Sequence, residues 1–148
     1  MRNDVHIVFG IGSSLIAGYY LDLVQIPFLI IGGFIGSIAP DFDLRIRHRR
    51  FFHNLFFLVA VLLLTVVISL SLGLSLYYVK AFDIGFTAGF SSHLFGDVIT
   101  FRGVDLLYPF SKKSFKIPIG SSKSLLVNSL GMIIGVSEII LFVYLRIF

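Results

Sequence analysis

The chain of 148 residues has no cysteine and no tryptophan, and only 14% of it is charged. Without cysteine there are no disulfide staples, thiolate metal sites, iron–sulfur clusters or cysteine nucleophiles. Scarcity of charge, set against 57% hydrophobic residues and a mean hydropathy of +0.98, excludes a disordered chain and argues against an ordinary soluble domain. The net charge of +4, in a chain this apolar, points to a membrane surface before nucleic acid, and no nucleic-acid partner is expected. The length suits a single membrane-embedded domain over residues 1–148.

A spanning helix needs about 20 mostly apolar residues. The uncharged run from Asn54 to Val79 is the clearest candidate, followed by Ser124–Leu145, which only Asn128 and Glu138 interrupt. Phe82–Ile99 is long enough but carries Asp83, His93 and Asp97, while Ile7–Leu21 and Ile26–Pro40 are apolar but short. The expected fold is an all-α integral membrane bundle of about five transmembrane helices. A cleaved signal peptide is not expected, because glycines and Ser13-Ser14 break the first apolar run. Small residues four apart (Ser14/Gly18, Gly32/Gly36, Gly85/Gly89, Gly131/Gly135) predict close helix packing.

Five spans would put Arg2, Arg45, Arg47, Arg49, Arg50, Arg102, Lys112, Lys113, Lys116 and Lys123 on one side, and only Lys80 and Arg146 on the other. The positive-inside bias then makes the first side, with the N-terminus, cytoplasmic in a multi-pass protein of the cell membrane.

On that same side fall His6, Asp41, Asp43, His48, His53, His93 and Asp97. His93 and Asp97 are spaced i, i+4 and share a helix face; the bland alternative is a His–Asp hydrogen bond tying helices together. Asp41 and Asp43 follow Pro40, which biases Ala39 towards an extended backbone, and in an extended segment both carboxylates would face one ion. The bland alternative makes one of them a helix N-cap. His48 and His53 are five apart and converge only if the segment between them is irregular. Imidazole and carboxylate without sulfur suit Zn, with Mn or Fe as alternatives. Six or seven ligands exceed one tetrahedral zinc site, so one or two ions are expected. The arginines around 45–50 serve either positive-inside topology and lipid headgroups or an anionic substrate.

Ile38-Ala39-Pro40-Asp41-Phe42-Asp43 followed by His48-Arg49-Arg50-Phe51-Phe52-His53-Asn54, then Ser92-His93-Leu94-Phe95-Gly96-Asp97 with Thr100, Gly103, Leu107, Tyr108, Pro109 and Phe110, resembles the signatures of the YdjM-like family of inner-membrane proteins. The resemblance spans nearly the whole chain and includes His6 before the first apolar run. Phe52, Asn54 and Arg50 depart from the family's usual Thr, Ser and Gly, so the supporting hydrogen bonds of those two hydroxyls do not carry over by resemblance, while no expected ligand is lost. The resemblance implies a membrane-bound metal-dependent hydrolase, and a distant relation to zinc phospholipase C and P1 nuclease proteins implies a phosphoester substrate.

Taken together, His6, Asp41, Asp43, His53, His93 and Asp97 are the expected metal ligands. His48 is a candidate further ligand or proton carrier, Asp43 counts among the catalytic candidates as well as the ligands, and Arg49 and Arg102 would steady developing negative charge. The substrate expected at such a site is a lipid or lipid-linked phosphoester among the membrane lipids. Two other classes stay open: a metal or proton transporter, which wants ionisable groups through the whole bilayer depth, and a scaffold with basic cytoplasmic loops.

Overall fold

The computed structural model describes residues 1–45, 51–111 and 113–147, with residues 43–45 described in backbone only. Among them are five α-helices and no strand beyond isolated bridges: α1 (Asn3–Ala17), α2 (Ile26–Ile38), α3 (Leu55–Ser71), α4 (Leu76–Val98) and α5 (Leu125–Ile147).

Local chemistry sets the ends. Pro27 lies in the first turn of α2, where a missing N–H costs nothing. At the other end Pro40 cannot donate to the carbonyl four residues back, so the α-pattern stops and the chain tightens into a 3₁₀ segment, Ala39–Arg45. Ala39 is right-handed helical (φ −54°, ψ −41°), not extended. The expected extended presentation of Asp41 and Asp43 is therefore wrong. At about three residues per 3₁₀ turn, i and i+2 leave the backbone in different directions.

The uncharged run from Asn54 to Val79 is also not one helix. Asn54 caps α3, its side-chain oxygen accepting from the Phe57 N–H at 2.9 Å. The helix stops at Gly73 (φ +65°), where the Leu74 N–H donates to Ser69 O (2.8 Å) and the Gly73 N–H to Leu70 O (3.3 Å). This paired termination needs a left-handed residue just past the helix, which glycine supplies without a Cβ clash. The last residues of the run belong to α4.

The helices alternate in direction. Residues 1–6, 39–45, 51–54, 98–111 and 113–124 gather at one end of the bundle; the 18–25 turn, the α3–α4 turn and Arg146 lie at the other. At that far end Arg146 donates to the carbonyls of Tyr19 (3.1 Å) and Leu21 (2.8 Å), Gln25 donates to Tyr77 O (2.7 Å), and the Tyr77 hydroxyl pairs with Asp22.

The small-residue pairs lie at helix contacts. A Cβ built on Gly32 or Gly36 of α2 would overlap the carbonyls of Phe82 and Phe86 of α4, and one on Gly85 or Gly89 would overlap those of Leu29 and Gly33. Ser14 of α1 abuts Gly33, and Gly135 of α5 abuts the Phe9 backbone. Backbones this close gain dispersion contact that lipid, as apolar as leucine, cannot match.

Outside this core the helices are greasy. Leu63, Leu64, Val67 and Leu70 of α3 and Ile133, Ile140 and Leu141 of α5 are exposed. Among the described residues two segments are long and apolar enough to cross a membrane, Leu23–Phe42 (20 residues) and Leu125–Ile147 (23 residues). Three of the five expected spans are not among them. At 15 and 17 residues, α1 and α3 reach only about 22 and 25 Å at 1.5 Å per residue, short of a hydrocarbon core of about 30 Å. With 23 residues α4 is long enough, but it carries Lys80, Asp83 and Asp97.

Candidate metal centre

Five of the ligand-capable side chains meet at one end of the bundle. His6 comes from the second turn of α1, Asp41 from the 3₁₀ segment after α2, His53 from the residue before the Asn54 cap, and His93 and Asp97 from adjacent turns of α4. His6, His53, His93 and Asp97 are buried (2% exposed or less), and Asp41 is about one-fifth exposed.

The distances tie the five together. His93 Nε2 lies 3.6 Å from Asp41 Oδ1 and 3.7 Å from Asp97 Oδ2; His53 Nε2 lies 3.5 Å from Asp97 Oδ2 and 4.0 Å from Asp41 Oδ1. His6 Nε2 is 3.6 Å from Asp97 Oδ1, and its ring stacks on that of His93 at 3.8 Å between centroids. The α-amino group of Met1 adds a positive charge, 3.0 Å from Asp97 Oδ1 and 2.9 Å from His6 Nε2.

The tautomer of His93 follows from its surroundings. Its Nδ1 sits 2.6 Å from the Ser37 carbonyl oxygen, which only accepts, so the ring proton is on Nδ1. Nε2 faces the cluster, where it makes no hydrogen bond among the described residues. A backbone carbonyl that fixes one imidazole nitrogen and frees the other is the usual support of a metal-ligating histidine.

The donor set fits a divalent ion. Bonds of about 2.0–2.2 Å in a tetrahedral zinc site put ligand atoms about 3.3–3.5 Å apart. The four imidazole–carboxylate separations between His53 or His93 Nε2 and Asp41 Oδ1 or Asp97 Oδ2 run from 3.5 to 4.0 Å, and the residues fall into two triplets that share His93, Asp41/His53/His93 and His6/His93/Asp97. These separations are longer than good hydrogen bonds and close to that spacing.

The other expected site residues stand apart. Asp43 is described in backbone only; its 3₁₀ position replaces the extended one that was to pair it with Asp41. His48 and Arg49 lie outside the described residues, as do Arg47, Arg50 and Lys112. Arg102 is exposed and lines a neighbouring pocket with Thr100, Ser121 and Lys123. Asn54, where the family usually has Ser, caps α3: the amide oxygen accepts from Phe57 and the amide nitrogen donates to Phe51 O at 2.7 Å.

Two polar residues matter more than the sequence suggested. The backbone carbonyl of Ser37 carries no signal in a sequence. Asn128, an amide inside an apolar run, does: its Nδ2 donates to the carbonyls of Ser122 (3.0 Å) and Ser124 (2.7 Å), and its Oδ1 accepts from the Arg2 N–H (2.9 Å). It fastens the start of α5 and the loop before it to the start of α1. Asp83 and Glu138 lie elsewhere, the first accepting from Thr65 (2.8 Å) at the α3–α4 contact and the second from Ser13 (3.0 Å) at the α1–α5 contact.

Residues 1–147 match the sequence model of a family described as YdjM inner membrane protein. No curated protein and no solved structure matches the chain.

Proposed function

The chain belongs to the YdjM family of inner membrane proteins, and from that premise we propose that it is a multi-pass membrane hydrolase whose metal centre lies at the cytoplasmic end of the bundle. The observation that carries this reading is the electrostatics around His93. His93 Nε2, left facing the cluster by the Nδ1–Ser37 bond, lies 3.6 and 3.7 Å from two carboxylate oxygens, too far for a good hydrogen bond to either. Buried carboxylates gathered with imidazoles at that range call for positive charge among them; the Met1 ammonium serves one oxygen of Asp97, and a divalent ion is our proposal for the atoms around His93 Nε2.

His53, His93, Asp41 and Asp97 would hold the first ion. His93 Nε2 serves one ion, and a second ion on His6 Nε2 and Asp97 Oδ1 would have to displace the Met1 ammonium, which lies 2.9 and 3.0 Å from those atoms. Zn suits this imidazole and carboxylate set, and Mn or Fe are the alternatives. A bound ion of this kind supplies a Lewis acid and lowers the pKa of water towards neutrality. The protein's own part is to keep the donors fixed. Ser37 locks His93, the Asn54 cap sets the start of α3 one residue after His53, and α4 presents His93 and Asp97 on one face.

The substrate we propose is the phosphoester of a lipid or lipid-linked molecule. A site at the bundle's basic end lies near the headgroup level, where such a molecule arrives by lateral diffusion. Pairing Asp83 and Glu138 at separate helix contacts speaks against a transporter, which needs ionisable groups in a connected path. Salt-dependent lipid or nucleic-acid binding without bound metal would favour a scaffold instead.

The test is metal content by mass spectrometry on the purified protein, with hydrolysis of bis-p-nitrophenyl phosphate measured beside it. Wild type should carry a transition metal, and His93→Ala and Asp41→Ala should lose both metal and activity. Metal content unchanged in the two variants removes the site.

A further inference from the structure

At the same end of the bundle, beside the His/Asp cluster, lies a pocket of about 410 Å³ lined by Thr100, Phe101, Arg102, Ser121, Ser122 and Lys123. Its lining has two cations, three hydroxyl-bearing side chains and no carboxylate. Arg2 neutralises itself against Asp4 at 2.6 Å, but neither Arg102 nor Lys123 has a carboxylate partner among the described residues.

The pocket is built on a fixed frame. Phe101 N–H donates to Gly120 O (2.9 Å), Ile119 N–H to Ile99 O (3.2 Å) and Ile117 N–H to Val98 O (2.8 Å), so the chain after α4 pairs with the chain before α5. Asn128 pins the 122–124 turn from below. Residues 121–123 precede the N-terminus of a 23-residue helix, whose dipole adds partial positive charge. Thr100, on the opposite wall, donates its hydroxyl to the Asp97 carbonyl at 2.7 Å, which places the pocket directly after the cluster in the chain.

We infer that this pocket binds a phosphate group. A guanidinium fork, an ammonium and serine hydroxyls on a pre-shaped loop match the oxygens of a phosphate monoester or diester. The inference goes beyond the metal reading and does not depend on it: the pocket's own side chains suffice to hold the anion. If the cluster is a phosphoesterase centre, the pocket is where the substrate's phosphate or its product is steadied.

The experiment uses the full chain in zwitterionic nanodiscs, treated with EDTA so that no metal contributes to anion binding. Inorganic phosphate is titrated in one arm and dihexanoyl phosphatidic acid in the other, by calorimetry. Wild type should bind, and the double variant Arg102→Gln/Lys123→Gln should bind about tenfold more weakly, as expected for the loss of two charge-assisted contacts. Lys123→Glu serves as a second variant and should weaken binding at least as much. Weakening in both arms supports a site for phosphate itself, and weakening in the lipid arm alone supports a site for a phospholipid headgroup. Binding unaltered by either variant, or no binding by wild type in either arm, overturns the inference. Because the arms are metal-free, that failure is separate from a failure to find metal in the untreated protein.

Discussion

Asp97 has the most demanding position of any single side chain here. One oxygen accepts from the Met1 ammonium at 3.0 Å, and the other lies within 3.7 Å of both His53 and His93. Breaking a buried charged pair by removing one partner costs about 3–5 kcal/mol, because the remaining charge is stranded. Asp97→Asn should therefore lower the thermal midpoint of the detergent-solubilised protein markedly, besides abolishing metal uptake. His53→Gln, which leaves the Asp97 carboxylate and its Met1 ammonium in place, should abolish uptake with a smaller thermal effect. Equal thermal losses in the two would contradict the assignment of charge to Asp97. Asn54 gives a milder case. Asn54→Ala should cost about 1 kcal/mol through loss of the α3 cap, and Asn54→Ser should retain most of it, since a serine oxygen accepts the same bond. Urea or thermal unfolding in micelles separates the two. At this scale the sequence is legible for side chains whose chemistry is rare in a greasy chain: five imidazoles and carboxylates stood out by scarcity and met in space. It is silent on the Ser37 carbonyl, because every residue has one.

At the scale of elements, glycine decides both packing and punctuation, in two different ways. Gly85 has the Leu29 carbonyl where its Cβ would be, so Gly85→Leu must push α2 and α4 apart; overpacking of this kind costs about 1–3 kcal/mol or more. Gly73 has nothing within 4 Å of that position, so Gly73→Ala pays only for its left-handed backbone, about 1–2 kcal/mol. Expression level and thermal midpoint of the two variants should rank in that order, and the reverse ranking would mean that the α2–α4 contact is not the bundle's tight seam. The same contrast explains what could be read in advance. Spacing of small residues by four is a pattern, and it marked the seams. The end of α3 rests on one glycine in a run that hydropathy averages over, so Asn54–Val79 reads as a single span. Pro40 misled in the opposite direction. Its usual effect on the preceding residue is overridden because α2 continues into a 3₁₀ turn, where φ near −60° suits proline.

For the whole molecule the open quantity is how the bundle sits in the bilayer. Length and apolarity single out two segments, but the exposed faces of α3 and α5 are apolar along their lengths, and five of the six tyrosines (Tyr19, Tyr20, Tyr77, Tyr78 and Tyr144) lie at or near the end away from the His/Asp cluster. Tyrosine is enriched at membrane–water boundaries, where its ring is buried and its hydroxyl is wet. Among the described residues Arg2, Arg102, Lys113, Lys116 and Lys123 lie at the other end, against Lys80 and Arg146 at the tyrosine end. The orientation we propose follows the positive-inside bias and puts the His/Asp cluster inward. Absence of cysteine makes this directly measurable, since a single introduced thiol is the only one present. In intact cells Leu74→Cys, in the α3–α4 turn, should react with a membrane-impermeant maleimide. Ser114→Cys, in the loop that follows α4, should react only after the membrane is opened. Labelling of both in intact cells, or of Ser114→Cys alone, would place the cluster on the outer face and remove the lipid-substrate reading at the inner leaflet.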